Sequence, residues 1–252
     1  MENHDKKIDL SFRSTPSRPL LGLTILLVED SRFACEAMRI MALRSGARLR
    51  RADCMTSARR HMRLYRPSVV IVDIGLPDGS GLDLIREISS ANTRVPAIIG
   101  TSGDDMMHNA ALKAGADTFI SKPYESISAF QSEILRLFPF QDGTWQPRVV
   151  RDDLVRPDPV VYRDDLCHAK SLLAQNPTGP MKNYLCRFLD GVAQSAGDGP
   201  MATAAQSGYI LGSADRSTHK SDISDLRPQQ DQIEQELIGS NFPTSLFVAN
   251  LV

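Results

Sequence analysis

The sequence has few of the residues from which metal sites and disulfide frameworks are built. Its four cysteines, Cys35, Cys54, Cys167 and Cys186, are scattered, with no CxxC pair and no histidines at metal-ligand spacing. This pattern argues against a zinc site and against a disulfide-stapled scaffold. We expect free thiols in a reducing compartment.

Long apolar runs are also missing. The first 20 residues carry charge without an apolar signal region, and no stretch approaches the roughly 20 apolar residues of a membrane span. We therefore expect a cytoplasmic protein with no membrane-bound part. The 42% content of hydrophobic residues is nevertheless sufficient for a substantial buried core.

The chain lacks an excess of positive charge. Residues 1–140 contain 19 Lys and Arg against 16 Asp and Glu, whereas residues 141–252 contain 10 against 14. The second half is thus a poor candidate for a phosphate-binding surface. Eight arginines between Arg44 and Arg66 leave open a patch for nucleic acid or an acidic partner. Charges on a solvated helix are the commoner explanation, and interleaved aromatic residues are nearly absent.

What is present is an alternation of aliphatic runs with helical periodicities. The strand-like segments are LTILLV (23–28), LRRAD (49–53), VVIVD (69–73), VPAIIGTS (95–102) and DTFIS (117–121). Each is followed by a segment with apolar residues at helical spacing, the first of which Ser31 should cap and Gly46 should end. Five alternating pairs predict an α/β fold with a doubly wound, five-stranded parallel sheet.

The flanking segments have a different composition. We predict a flexible arm at 1–20, a linker at 141–160 and a small, mostly α-helical region at 161–212. Apolar residues from Met181 to Val192 follow the spacing of one helix face. Residues 213–252 contain few apolar residues and should be a mobile tail with one short helix at 228–238.

Charged and hydroxyl-bearing residues follow the predicted strands at their carboxyl ends. Glu29 and Asp30 end the first strand, Asp73 the third and Thr101 the fourth, and Lys122 follows the fifth. Open parallel sheets bind ligands at this edge. Three carboxylates meeting there would repel one another unless a cation neutralised them, and an all-oxygen cluster suits Mg²⁺.

The segments LLVED, VVIVDIGLPDGSG, IIGTSG and GADTFISKP, in this order, resemble the receiver domain of two-component response regulators. Each piece alone is a weak signal, and a lone aspartate after a strand is commonly a turn cap, but the combination is specific. The resemblance covers about residues 22–140 and implies a receiver domain at 21–140. It implies a flavodoxin-like sheet with strand order 2-1-3-4-5, followed here by a helical region of unrecognised type.

The resemblance also implies roles for individual residues. Asp73 would be the phosphoacceptor, forming an aspartyl phosphate by attack on a phosphohistidine of a sensor histidine kinase or phosphotransfer protein. Glu29, Asp30 and Asp73, with the backbone carbonyl of Gly75, would hold Mg²⁺.

Three further positions complete the implied site. Thr101 would hydrogen-bond a phosphoryl oxygen and Lys122 would pair with another, with the Lys122–Pro123 bond in the cis form. Thr101 and Phe119 would form the switch, since the added phosphoryl group should draw the Thr101 hydroxyl toward it and let the Phe119 ring rotate.

The output of such a switch is less defined. After residue 140 we find no second set of catalytic residues, so we expect a signalling protein with no enzymatic activity beyond its own phosphorylation and autodephosphorylation. The acidic helical region favours switched docking to an unidentified protein. A DNA-binding transcriptional regulator is the alternative, and a phosphorylation-dependent homodimer fits either. His168, in LCHAKSL, is better explained as a helix-surface residue than as a phosphotransfer histidine.

Overall fold

The computed structural model describes residues 14–124, 126–138, 154–175 and 177–214, the last eight of these by their backbone alone. The chain divides into two compact units, Met1–Tyr162 and Arg163–Val252. The short helix predicted at 228–238 lies outside the described residues.

The first unit contains a five-stranded parallel sheet. Its strands are β1 (Thr24–Val28), β2 (Arg48–Ala52), β3 (Val69–Asp73), β6 (Ala97–Ser102) and β7 (Thr118–Ser121). They lie in the order β2-β1-β3-β6-β7. Two-residue strands β4 (Gly75–Leu76) and β5 (Gly79–Ser80) form a separate antiparallel pair. With this pair set aside, the main strands have the order 2-1-3-4-5, which confirms the predicted fold.

Four helices connect successive main strands, a fifth follows the last strand, and together they cover the sheet. They are α1 (Arg32–Ser45), α2 (Met55–Leu64), α3 (Gly81–Ser89), α4 (Met107–Ala114) and α5 (Ile127–Leu135). The Ser31 side chain caps α1 by accepting a hydrogen bond from the backbone N–H of Ala34, at 3.0 Å. The helix ends at Gly46, whose φ of 87° lies in the left-handed region that glycine favours. Both ends agree with the sequence prediction.

Around the sheet, the described residues form two apolar clusters, to which alternate residues of β1 contribute. Ile25 and Leu27 belong to one cluster, with residues of α1 and α5. Leu26 and Val28 belong to the other, with residues of α2 and α3. Because successive strand residues point to opposite faces, this division explains why the central strands are apolar throughout. Leu20, from the segment predicted to be a flexible arm, is fully buried in the first cluster.

Three helices follow in the C-terminal part of the chain: α6 (Pro159–Leu173), α7 (Gly179–Ala196) and α8 (Gly199–Ala214). The predicted apolar stripe of α7 is buried from Tyr184 to Val192, and Pro180 lies in its first turn. His168, on α6, is exposed, and its ring lies edge-on to that of Phe188. No helix in the described ranges is both long and apolar enough to cross a membrane.

Candidate functional site

Three carboxylates converge at the carboxyl ends of β1 and β3. Oxygens from Glu29, Asp30 and Asp73 all lie within 4.8 Å of one another. Glu29 is fully buried and Asp73 is 7% exposed, whereas Asp30 is half-buried. β1 and β3 are parallel neighbours, with Val28 paired to Val72. The next residue of each strand therefore lies at the same edge of the sheet.

A buried lysine enters the cluster from the loop after β7. The Lys122 Nζ lies 2.6 Å from Glu29 Oε2 and 3.3 Å from Asp73 Oδ1. Burial by itself would lower the pKa of Lys122, but the carboxylates of Asp73 and Glu29 raise it well above its ordinary value. Lys122 is therefore a fixed positive charge. It offsets only one of the three carboxylates when all of them are ionised.

The excess of negative charge affects the pKa of Glu29. Burial raises the pKa of this carboxyl well above its ordinary value; Lys122 lowers it, and Asp73 and Asp30 raise it further. A divalent cation bound by the three carboxylates would relieve this repulsion. The oxygen donor set and the excess negative charge fit Mg²⁺, a hard cation that binds carboxylate oxygens and keeps several waters.

Gly75 lies beside the same carboxylates. A Cβ built on this residue would be 3.8 Å from Asp73 Oδ2, so its backbone borders the Asp73 carboxylate. The absence of a side chain leaves this approach open. A role for the Gly75 carbonyl as a metal ligand, beside Glu29, Asp30 and Asp73, stays a prediction.

Thr101 is held on the strand next to Asp73. The two residues are register partners across β3 and β6, and Thr101 is fully buried. Its hydroxyl donates to the carbonyl of Ile120 at 2.7 Å and lies 2.6 Å from the Tyr124 hydroxyl. Phe119, the other predicted switch residue, is buried, with its ring centroid 5.4 Å from that of His108.

Two residues at the site escaped the sequence analysis. Arg51, at the end of β2, donates from Nη2 to the backbone carbonyl of Asp30 at 2.9 Å and from Nε to that of Glu29 at 3.4 Å. The other is Tyr124, two residues after Lys122, whose hydroxyl lies 2.6 Å from Thr101 Oγ1. Their positions along the chain gave a signal, since Arg51 lies near the end of β2 and Tyr124 follows β7, but their contacts depend on the tertiary fold. The Lys122–Pro123 peptide bond is cis, as the resemblance implies.

Two contacts fix the position of the loop that follows Asp73. The Asp78 carboxylate accepts hydrogen bonds from the backbone N–H groups of Met55 and Thr56, at 2.8 and 2.9 Å, and so caps α2. Gly81 packs directly against the backbone of Asp73, where a Cβ would overlap the Asp73 carbonyl. These contacts hold the carboxylate at a defined position.

The same region of the chain matches a known family. Residues 25–132 match the model of the response regulator receiver domain. Over 117 residues the chain is 36% identical to the "Probable transcriptional regulatory protein TcrX" of Mycobacterium tuberculosis, an alignment covering 46% of this chain and 48% of that protein. It is 28% identical over 117 residues to the virulence transcriptional regulatory protein PhoP of Salmonella typhimurium, covering 45% of this chain and 52% of the relative.

Solved structures align over the same part. The receiver domain of NtrX from Brucella abortus is 25% identical, with a TM-score of 0.42, over 45% of this chain and 96% of that one. A two-component response regulator from Clostridium difficile is 19% identical, with a TM-score of 0.42, over 46% and 94%. The chain spans about half the length of the curated relatives it matches. On the family match and the strand order, residues 25–132 of this chain are a response regulator receiver domain.

Proposed function

We propose that this chain is a response regulator of a two-component or phosphorelay system, and that Asp73 accepts a phosphoryl group from a histidine kinase or phosphotransfer protein. One observation carries the proposal. Asp73 lies in a buried cluster with two other carboxylates and with Lys122, whose ammonium group is 3.3 Å from Asp73 Oδ1. An ion pair with a purely structural role would need only one carboxylate for Lys122. In phosphoryl transfer, the additional carboxylates serve to bind a cation.

The chemistry follows from the groups at hand. An ionised Asp73 oxygen attacks phosphorus, the phosphorus–nitrogen bond to the donor histidine breaks, and the released imidazole nitrogen takes a proton from solvent. Bound Mg²⁺, held by Glu29, Asp30, Asp73 and the Gly75 carbonyl, would supply neutralising charge for the phosphoryl oxygens. Lys122 already faces Asp73 and pairs with the incoming phosphoryl group without a large rearrangement.

The switch is proposed to lie next to the acceptor. A phosphoryl group on Asp73 adds charge and acceptor oxygens that compete for the Thr101 proton, which Ile120 now accepts. Movement of Thr101 changes the packing around Phe119, which is a register neighbour of Gly100 on β6. The shape of the surface formed by α4, β7 and α5 would then depend on the state of Asp73.

We propose that the output is a change in protein–protein docking, with the receiver at 21–140, a linker at 141–160, the helical region at 161–212 and a tail at 213–252. The buried stripe of α7 provides a packed framework, and its exposed basic side chains are few, with Arg187 the main one. This charge pattern suits a protein partner or a second copy better than nucleic acid. We further propose a cytoplasmic location and no enzymatic output.

A DNA-binding output is the second candidate. Its support is that the relatives are named transcriptional regulatory proteins. The full chain should be titrated with genomic fragments over a range of salt concentrations, with and without phosphorylation. Steep salt-dependent binding favours this candidate and contradicts the docking proposal, whereas a phosphorylation-dependent change in mass by light scattering, without DNA binding, supports docking to another copy.

The acceptor is tested with a small phosphodonor. Incubation of the full chain with phosphoramidate and Mg²⁺ should add one phosphoryl group by intact mass spectrometry, and Asp73→Asn should remain unlabelled. Asp83→Asn is the matched control, because Asp83 is an exposed carboxylate on α3 paired with Arg86. Labelling of Asp73→Asn equal to that of the parent would show that the acceptor lies elsewhere.

A further inference from the structure

Tyr124 is placed to control the Thr101 hydroxyl. It is 7% exposed, and its hydroxyl oxygen lies 2.6 Å from Thr101 Oγ1. Thr101 is itself fully buried and is hydrogen-bonded to the Ile120 carbonyl at 2.7 Å. The threonine hydroxyl is therefore held between one backbone carbonyl and one tyrosine.

The proton positions in this chain of hydrogen bonds can be assigned. A carbonyl oxygen only accepts, so the single Thr101 hydroxyl proton points to Ile120. The bond between the two hydroxyls must then use the tyrosine proton, with Tyr124 as donor and Thr101 as acceptor. Burial raises the pKa of Tyr124 above its ordinary value, so this proton is retained at neutral pH.

We propose that Tyr124 is a positioning residue that holds the Thr101 hydroxyl in its resting orientation and so opposes activation of the receiver. The proposal rests on the proposed function of Asp73. To donate to a phosphoryl oxygen on Asp73, Thr101 must give up its bond to Ile120 and move away from Tyr124. The tyrosine hydroxyl, buried as it is, then loses the acceptor it has in the resting state.

The energetic consequence has a definite sign. Removal of the Tyr124 hydroxyl takes a hydrogen bond from the resting state and spares the active state a buried hydroxyl without its acceptor. Both effects favour the active state. The effect should therefore be visible in a single substitution.

The test uses beryllofluoride, a phosphoryl analogue, with Mg²⁺ and the full chain. In isothermal titration, Tyr124→Phe should bind beryllofluoride about two- to tenfold more tightly than the parent, as expected for one net hydrogen bond. Tyr65→Phe is the matched control: its hydroxyl bonds to His61 Nδ1 at 3.2 Å, away from the cluster, and its removal should leave the affinity unchanged. Thermal unfolding without ligand checks that each variant is folded.

A second readout separates positioning from general packing. In the unliganded protein, the ¹³C shift of the Thr101 methyl group should move toward its beryllofluoride-bound value in Tyr124→Phe. In a Thr101→Val background, which retains the shape but lacks the hydroxyl, Tyr124→Phe should no longer change the affinity. An equal gain in that background, or no movement of the methyl signal, would show that Tyr124 acts only through packing and would overturn the proposal.

The remaining outcomes are distinguishable. If the parent binds beryllofluoride and takes the phosphoryl label on Asp73, but Tyr124→Phe binds no more tightly, the role of Tyr124 is wrong and the function of Asp73 stands. If the parent neither binds the analogue nor accepts the label, the proposed function fails, and the role of Tyr124 fails with it.

Discussion

The Lys122 ammonium group lies closer to Glu29, at 2.6 Å, than to the proposed acceptor Asp73, at 3.3 Å. Both partners of this closer pair are buried. In the resting state the positive charge of Lys122 therefore neutralises mainly the Glu29 carboxylate. Asp73 interacts with the same ammonium group at the longer distance. Phosphorylation would shift this balance, because a phosphoryl group on Asp73 brings more negative charge to the lysine than the carboxylate alone.

Loss of Lys122 should show how strongly the buried carboxylates destabilise the folded protein when they lack their positive partner. Lys122→Met leaves Glu29 without its buried partner and is expected to lower the free energy of unfolding by about 3 kcal/mol, as for other broken buried ion pairs. Asp73→Asn removes one of the repelling charges and should be as stable as the parent or more so. Urea denaturation in buffer without Mg²⁺ measures both. A Lys122→Met protein with the parent's stability would contradict this account of the cluster.

Mg²⁺ should stabilise the folded protein if the three carboxylates bind it. Mass action predicts about 2.7 kcal/mol of stabilisation at a Mg²⁺ concentration 100 times the dissociation constant. Asp30→Asn should require more Mg²⁺ for the same rise in the thermal midpoint, whereas Asp83→Asn, a change on the surface of α3, should respond like the parent. Equal responses of all three proteins would place the cation elsewhere.

Gly81 should tolerate no side chain. A Cβ there overlaps the Asp73 carbonyl, so Gly81→Ala must displace the backbone of the acceptor and should lower stability by about 1–3 kcal/mol. At Gly191, within α7, an added Cβ would meet no atom of the described residues within 4 Å, apart from the helix's own backbone. Gly191→Ala should therefore stabilise the protein by up to about 1 kcal/mol through helix propensity. Chemical denaturation compares the two, and effects of the same sign would refute the steric argument.

Asp78 should make stability depend on pH at acidic values. Partial burial alone would raise the pKa of its carboxyl, but hydrogen bonds from the backbone N–H groups of Met55 and Thr56 lower it below its ordinary value. The stabilisation is thus fully present above the pKa of an unfolded aspartate, near 4, and is lost as the pH falls through the lower folded value.

Substitution of Asp78 tests the capping contact directly. Asp78→Ala should cost about 1 kcal/mol at neutral pH, as for the loss of other helix caps. Asp78→Asn keeps an acceptor oxygen and should retain part of that stability while losing its share of the acid dependence. Urea unfolding at pH 7 and at pH 3 supplies the measurement. A parent and an Asp78→Ala protein that differ equally at both pH values would rule out a role for the ionised carboxylate.

The sheet was predictable because local sequence patterns indicate its strands. Aliphatic runs such as 69–73 indicate strands buried on both faces, and the helical segments between them leave parallel crossovers as the regular connection. Arg51 was harder to interpret, since β2 carries four charged or partly exposed residues and resembles the solvated arginine-rich segment around it. Its contacts with the Glu29 and Asp30 carbonyls involve residues more than 20 positions away.

Sequence by itself determined which side chains reach the carboxyl edge of the sheet, because the residue after a buried parallel strand lies at that end of the sheet. That reasoning identified Glu29, Asp30, Asp73 and Lys122. Only the tertiary structure decided which contacts these residues make: Lys122 lies nearer to Glu29 than to Asp73, and the Tyr124 hydroxyl lies 2.6 Å from Thr101 Oγ1. Differences of less than 1 Å between competing contacts decide such pairings, and they depend on the packing of all the strands and loops at once.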